Sequence, residues 1–466
     1  MTWTKQLSMT VFPIGQGLFT QTDLRVGDKL FRIVYDCGTF YKKINQAVPY
    51  LKILGGKHLD LLVISHFDWD HISYIPELLD ITEGASRVWI PYVAPKMRLL
   101  YAIFAAIQSG IGGGDPPDYR QAVELTLNPR KWLEGRGVHM VEEIGPELEG
   151  DDGPPTPMIP EIPPEEDEGE FQGPKEITLA LLRMWRGAFG NSSDIMTAWS
   201  PIEALTNTRA GIEPLLTLIT WVKPLQEDKI NKVCQRVAEL LSETISKGAG
   251  GELARYCELR ESEEIPESNV MNLIWLICHK KEKDKLMNLY REFCNDLNSS
   301  SLFLMAQVTQ IRDLPFFSDI SLNQFSIFRS GSSSPISSSY WHRLPSSTRR
   351  NVFQNVSSDA DELTEMLPAF LWCGDAPTSV LNEVLSDASD RFSKRLNATR
   401  IWQIPHHGSL YSFNQQFYDK MGLAKGYVSY GYTNDFGHPN PSVIRHTEPQ
   451  AVTELTEPLN FSITWE

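Results

Sequence analysis

The chain has 466 residues, 41% of them hydrophobic and 10% aromatic, which is enough apolar material for a large core and a length that suits about two to three domains. No apolar run approaches the roughly 18 residues of a membrane span, and the opening MTWTKQLSMT lacks the basic-then-apolar layout of a secretory signal, so a soluble, cytoplasmic protein is expected. The formal net charge of −16 is hostile to nucleic acid only as an average: residues 142–176 hold 13 acidic side chains against one lysine, and the remainder is nearly neutral.

In chain order, strand-like segments come first: QLSMTVFPIGQG, LFRIVYDCGT, LDLLVISH and RVWIPY are rich in Val, Ile, Leu and aromatics and end in turn residues. Between them, YKKINQAVPYLKIL and MRLLYAIFAAIQSG carry a helical spacing of apolar positions. Residues 145–176 form an acidic, Pro/Gly-rich loop with almost nothing to bury. Residues 177–299 read as a mainly helical insertion, in which Ile230, Val233, Val237, Leu240, Leu241 and Ile245 fall on one helix face. Strand-like stretches resume with SLFLMAQV and ISLNQFSIFR, then PAFLWCGD, RIWQIPHHGS, GYVSYG and NFSITWE, with helices between. There is no internal repeat. The simplest organisation is one α/β domain in two halves, residues 1–144 and 300–466, with two layers of strands flanked by helices. An insertion of this size suits a protein partner or a substrate module.

Six cysteines (Cys37, Cys234, Cys257, Cys278, Cys294 and Cys373) show no CxxC and no clustering. They read as small buried residues of a reducing compartment, not as a disulfide frame or a thiolate metal site. Cys278-His279 lies in VMNLIWLICHKKEKDKL, a helix running onto its solvated face.

One stretch resists a packing explanation. Directly after the apolar LDLLVIS come His66, Asp68, Asp70 and His71, two imidazoles and two carboxylates within six positions. The end of a strand delivers side chains into a crevice, and this donor set suits a metal. A calcium loop would need a central Gly and a late bidentate Glu, and neither is present. Four later signals sit at strand ends or within a strand: Gly374-Asp375, Pro405-His406-His407-Gly408-Ser409, Gly437-His438-Pro439, and Asn323 with Ser326 in SLNQFSIF.

In this order, H-x-D-x-D-H, N-x-x-S, G-D, P-H-H-G-S and G-H-P resemble the metallo-β-lactamase fold, and in particular the branch found as the soluble domain of ComEC-type DNA-uptake proteins. The opening VFPIGQGLFT with FRIVYDCGT matches the first strands of that branch, with Asp36 at the position of its early aspartate. The resemblance covers residues 7–110 and 300–466. It implies an αββα sandwich and a site for two divalent ions, Zn or Mn: His66 and Asp68 on one, Asp70 and His71 on the other, Asp375 bridging and His407 completing the second. His406 then becomes a neighbouring or phosphate contact. Asp68 stands where many members have His, and Asn323/Ser326 stand where most have a third-motif His. Three carboxylates with three imidazoles form a set hard enough for Mn²⁺ as well as Zn²⁺, and the absence of a thiolate argues against a closed structural zinc.

The function expected is a metal-dependent hydrolase of phosphodiester bonds, a nuclease with DNA favoured, in which a hydroxide shared by the two ions attacks. Asp70, His406, His438 and Ser409 are the catalytic candidates, although Ser409 equally suits a helix N-cap and His438 a structural position beside Pro439. A stand-alone bacterial defence effector fits the missing channel. The alternatives are another hydrolase on the same fold, acting on a lactone, thioester or phosphocholine ester, or a non-catalytic scaffold docking through the insertion. Arg349, Arg350, Arg391, Lys394, Arg395 and Arg400 are the basic candidates for a nucleic-acid or nucleotide path, or for a solvated face.

Overall fold

The computed structural model describes residues 5–26, 29–42, 47–93, 95–112, 116–144, 176–178, 216–223, six positions within 232–239, then 283–308, 326–329, 368–386, 395–421, 424–432 and 434–465. Asn323, Arg349, Arg350, Arg391, Lys394, Cys257 and Cys278 lie outside them.

Numbered in chain order, the strands are β1 (Lys5–Val11), β2 (Gly17–Val26), β3 (Lys29–Thr39), β4 (Leu61–Val63), β5 (Ala85–Pro91), β6 (Val138–Ile144), β7 (Glu176–Thr178), β8 (Leu216–Trp221), β9 (Phe303–Val308), β10 (Ser326–Arg329), β11 (Ala369–Trp372), β12 (Thr399–Gln403), β13 (Lys425–Ser429), β14 (Gln450–Val452) and β15 (Leu459–Trp465). Among the described residues they form two sheets, ordered β10-β15-β1-β2-β3-β4-β5-β6 and β14-β13-β12-β11-β9-β8-β7. The first sheet begins as an antiparallel meander and turns parallel from β3 to β6, where helical crossovers intervene. Crossover helices cover the outer face there, so β4 and β5 are buried at every position; β4 is wholly apolar, and β5 carries Arg87, which is paired with Glu142 of β6.

The two-residue period of a strand sorts side chains into separate cores. Ile33 and Tyr35 of β3 face inward onto Phe370 and Trp372 of β11, while Val34 and Cys37 face outward. Between the sheets, the Tyr35 and Trp372 rings stack at 5.7 Å and the Tyr35 hydroxyl donates to the Leu302 carbonyl at 2.6 Å. The outer face of the first sheet is covered by α1 (Ala47–Leu54), α3 (Ile75–Thr82) and α4 (Pro95–Gly112). Next come α5 (Pro116–Leu127) and α6 (Pro129–Glu134). Helix α7 (Lys283–Leu297) and α5 both pack on α4, which explains why residues 99–107 are buried on all sides of that helix. The second sheet is covered by α8 (Thr378–Ser386) and α9 (Gln415–Met421). This is the αββα sandwich expected.

Several elements depart from the expected boundaries. β7 and β8 fall in stretches read as loop and helical insertion, yet they pair antiparallel in the second sheet, β8 directly on β9. That sheet therefore begins before residue 300. The described positions within 232–239 are helical, and Val233 and Val237 are buried in the same core as Leu286 and Phe293 of α7. Ser326 opens β10 at the sheet edge, opposite Thr464. Cys37 and Cys373 are buried free thiols. No described helix is long and apolar enough to cross a membrane.

Candidate metal centre

The carboxyl ends of β4, β11 and β12 each lead within a few residues into polar side chains of the cluster, and β3 contributes Asp36 from within the strand. After β4 the chain runs through Ser65, His66 and extended Asp68 into the short α2 (Trp69–Ile72), which carries Asp70 and His71. Gly38 of β3 makes room for α2, because a Cβ there would lie 2.5 Å from the His71 carbonyl carbon. Asp36 is the extra residue of a β-bulge, since Thr20 pairs with Tyr35 and Phe19 with Cys37, and it adopts φ 54°. The bulge aims its carboxylate at Ser65, whose N–H and hydroxyl donate at 2.7 Å each, and at His71 Nδ1, 2.8 Å away.

From the second sheet, β11 leads into Gly374-Asp375. The Gln403 amide holds this turn, accepting from the N–H of Cys373 and of Gly374 and donating to the Gly374 carbonyl. After β12, His406, His407 and Gly408 are three consecutive residues at positive φ, 50°, 51° and 77°. Left-handed backbone at a non-glycine residue costs on the order of 1–3 kcal/mol, and here it turns both imidazoles toward Asp375.

Asp375 is the hub. Its carboxylate lies 3.2 Å from His71 Nε2, 3.7 Å from His406 Nε2, and 4.0 Å from both His66 Nε2 and His407 Nε2. His407 Nε2 is 3.1 Å from Asp70 Oδ2, and its Nδ1 is fixed by the Ser429 carbonyl at 2.7 Å. Ligand atoms of Asp70, His71, Asp375 and His407 all lie within 4.8 Å of one another. His66 Nε2 lies 3.9 Å from Asp68. The six side chains expected as ligands, His66, Asp68, Asp70, His71, Asp375 and His407, are therefore brought together.

The electrostatics follow from burial. Burial opposes ionisation of Asp375, but His71, His406 and His407 hold its carboxyl well below the usual carboxylate range. Burial also opposes protonation of His71, and is outweighed by Asp375 and Asp36, which raise it well above the ordinary imidazole value. Burial, then His71, push His66 down to about 3, leaving a neutral imidazole. Burial, then Asp70, push Asp68 up to about 7. His66 Nε2 and Asp68 Oδ1 are buried without a hydrogen-bond partner, and His71 Nε2 and Asp375 Oδ1 face only each other, as an ion pair at 3.2 Å. Orphaned donors and acceptors of this kind cost free energy unless something satisfies them. The neutral imidazole of His66 and crowded carboxylates with unused lone pairs fit divalent cations, which would take the place of the protons held on His71 and His407.

The remaining candidates take distinct places. The His438 ring meets His406 edge-on at 5.3 Å, and burial, then His406 and His407, push it down to about 3. Ser409 is buried and its hydroxyl oxygen accepts from the Tyr411 N–H, capping the turn Leu410–Ser412. Arg395 and Arg400 stand at the start of β12, whereas His406 and His407 follow its end. A five-residue strand spans about 17 Å at roughly 3.3 Å per residue, so these two arginines are remote from the cluster. Asn323 lies outside the described residues and Ser326 sits in the edge strand; the N-x-x-S beside the hub is instead Asn298 to Ser301, where Ser301 Oγ accepts from the Asp375 N–H at 3.3 Å. The spacing recurs in the sequence, and β9–β11 pairing selects this copy. Tyr290 of α7, which donates to Asp68 Oδ2, carries no sequence signal.

Residues 25–176 match the model of the metallo-beta-lactamase superfamily, whose members are mostly metal-dependent hydrolases. The matched span contains His66 to His71 and stops before Asp375 and His407, which the fold adds to the same cluster. No curated protein matches the chain.

Proposed function

We propose that this chain is a metal-dependent phosphodiesterase, most simply a nuclease acting on DNA. The observation that carries the reading is the convergence on Asp375 of four imidazoles drawn from both halves of the chain. His66 and Asp68 would hold one divalent cation, Asp70, His71 and His407 a second, and Asp375 would serve both. Two such ions lower the pKa of a water and clamp the attacking and leaving oxygens of a phosphoryl displacement. The chain's own residues supply the rest. Asp36 and the Ser429 carbonyl orient His71 and His407 through their Nδ1 atoms, which leaves each Nε2 turned toward the cluster. His406 sits at the rim, its Nε2 facing Asp375, and His438 lies beside it. These two can bind a non-bridging phosphate oxygen or pass a proton to the leaving group. Ser409 supports the turn through its cap.

The DNA preference rests on the ComEC-like order of motifs. The test is cleavage of labelled single- and double-stranded DNA with manganese or zinc, with Asp70→Ala as control. Metal-dependent cleavage that disappears in D70A is expected; cleavage that survives the substitution would refute the mechanism. A second reading, hydrolysis of a lactone, thioester or phosphocholine ester, draws on the rim: Tyr411 is 67% exposed, Leu410 54% and Phe436 38%, while Arg395 and Arg400 lie far off. Turnover of such esters with DNA left intact would favour it.

A further inference from the structure

We infer that Tyr290 is a positioning residue for the first cation position, acting through Asp68; this rests on the metal reading above. Asp68 is 2% exposed, and one of its oxygens, Oδ2, accepts a hydrogen bond from the Tyr290 hydroxyl. The other oxygen, Oδ1, is buried without a hydrogen-bond partner; His66 Nε2, likewise unpartnered, lies 3.9 Å from Oδ2. One side of the carboxylate is thus pinned and the other is left to a ligand. The pin is rigidly mounted. The Tyr290 ring packs on Phe104 of α4 at 5.1 Å, and Gln108 of the same helix accepts from the Trp69 N–H, the residue next to Asp68. Helices α4 and α7 thereby form a wall that fixes the loop carrying Asp68.

The chemistry of the pin matters. A lysine or arginine in this place would satisfy Asp68 with a full positive charge and compete with a cation for it. A phenol orients the carboxylate through one bond and leaves its negative charge in place. Tyr290 also belongs to a stretch expected to form a separate module, so that stretch supports the ligand set through Asp68.

Manganese titrated calorimetrically into the full chain tests this. Partners that orient metal ligands typically account for about 10- to 100-fold in affinity. Tyr290→Phe keeps the ring on Phe104 and removes only the hydroxyl, so one binding step should weaken by about that factor while the step assigned to Asp70, His71 and His407 stays as in the parent. Phe104→Leu, which loosens the packing and keeps the hydroxyl, should weaken that step by clearly less than Tyr290→Phe does and leave the other step unchanged. In a double-mutant cycle with Asp68→Asn, adding Tyr290→Phe should cost little more, because the tyrosine acts through the aspartate. The inference is overturned if Y290F binds like the parent, if F104L weakens the same step equally, or if the two substitutions are additive. A parent chain that takes up no manganese would overturn the metal reading itself, and this inference with it.

Discussion

Replacing Asp36 by Asn tests how the site is tuned. Asparagine has the same shape and tolerates the left-handed backbone that the bulge requires, so the fold at β3 should persist. The hydrogen bonding changes. Oδ1 can still accept from the Ser65 N–H, but an NH₂ group replaces Oδ2, the oxygen that accepts from the Ser65 hydroxyl at 2.7 Å and faces His71 Nδ1 at 2.8 Å. To avoid two opposed N–H groups, His71 must present a lone pair at Nδ1 and carry its proton on Nε2. That proton would then point into the cluster, toward Asp375 Oδ1 at 3.2 Å, and the lone pair needed for a cation would be gone. Hydrogen bonds to charged groups contribute about 1.5–3 kcal/mol each; two are lost and weaker neutral contacts replace them. Urea denaturation of the metal-free chain should therefore show D36N less stable by about 2–4 kcal/mol. Calorimetric titration should show metal binding about 10- to 100-fold weaker. A D36N chain that binds manganese as tightly as the parent would refute the claim that Asp36 sets the His71 tautomer.

Other substitutions address the frame. Burial raises Asp60 to about 7 against an ordinary value of 3.8, with the Arg32 N–H bond opposing the shift. A raised carboxyl contributes stability that is complete below about pH 4 and lost as pH climbs through about 7, so Asp60→Asn should flatten the fall in urea stability over that window by up to about 4 kcal/mol; an unchanged slope would refute the assignment. Tyr35→Phe removes the donor to the Leu302 carbonyl between the sheets and should lower stability by about 1–3 kcal/mol in thermal or urea unfolding. Gly38→Ala should both destabilise the chain, by about 1–3 kcal/mol, and weaken metal uptake, because the new methyl collides with the backbone at His71; intact metal binding would show that α2 can shift without moving its ligands.

The ligand cluster was legible because metal chemistry leaves an excess of His and Asp where packing would place apolar residues, as at His66 to His71 and at His406-His407. Strand ends were legible because a turn follows a short continuous apolar run, as Gly374-Asp375 follows PAFLWC. What failed to show was long-range pairing. N-x-x-S occurs at Asn298, Asn323 and Asn355, and the register of β9 against β11 places the first of these beside Asp375. Proximity in sequence misled at Arg395 and Arg400, which are close to His406 along the chain but are carried to the other end of an extended strand. β8 could not be told from a buried helix segment, because LTLITW is a short apolar run whose partner β9 lies more than eighty positions away. Tyr290 is an ordinary amphipathic-helix residue until α7 docks on α4.

The placement of Asp375 and His407 on one sheet and of Asp70 and His71 on the other has a mechanical consequence. A cation seated among them would act as a rivet across the seam of the sandwich, joining two layers otherwise held by apolar contact and a few hydrogen bonds such as those of Tyr35 and Trp372. Chelation would then do more than silence chemistry: it would leave the layers freer to slide, and the seam around Tyr35 and Trp372 would be the first place to register the slack.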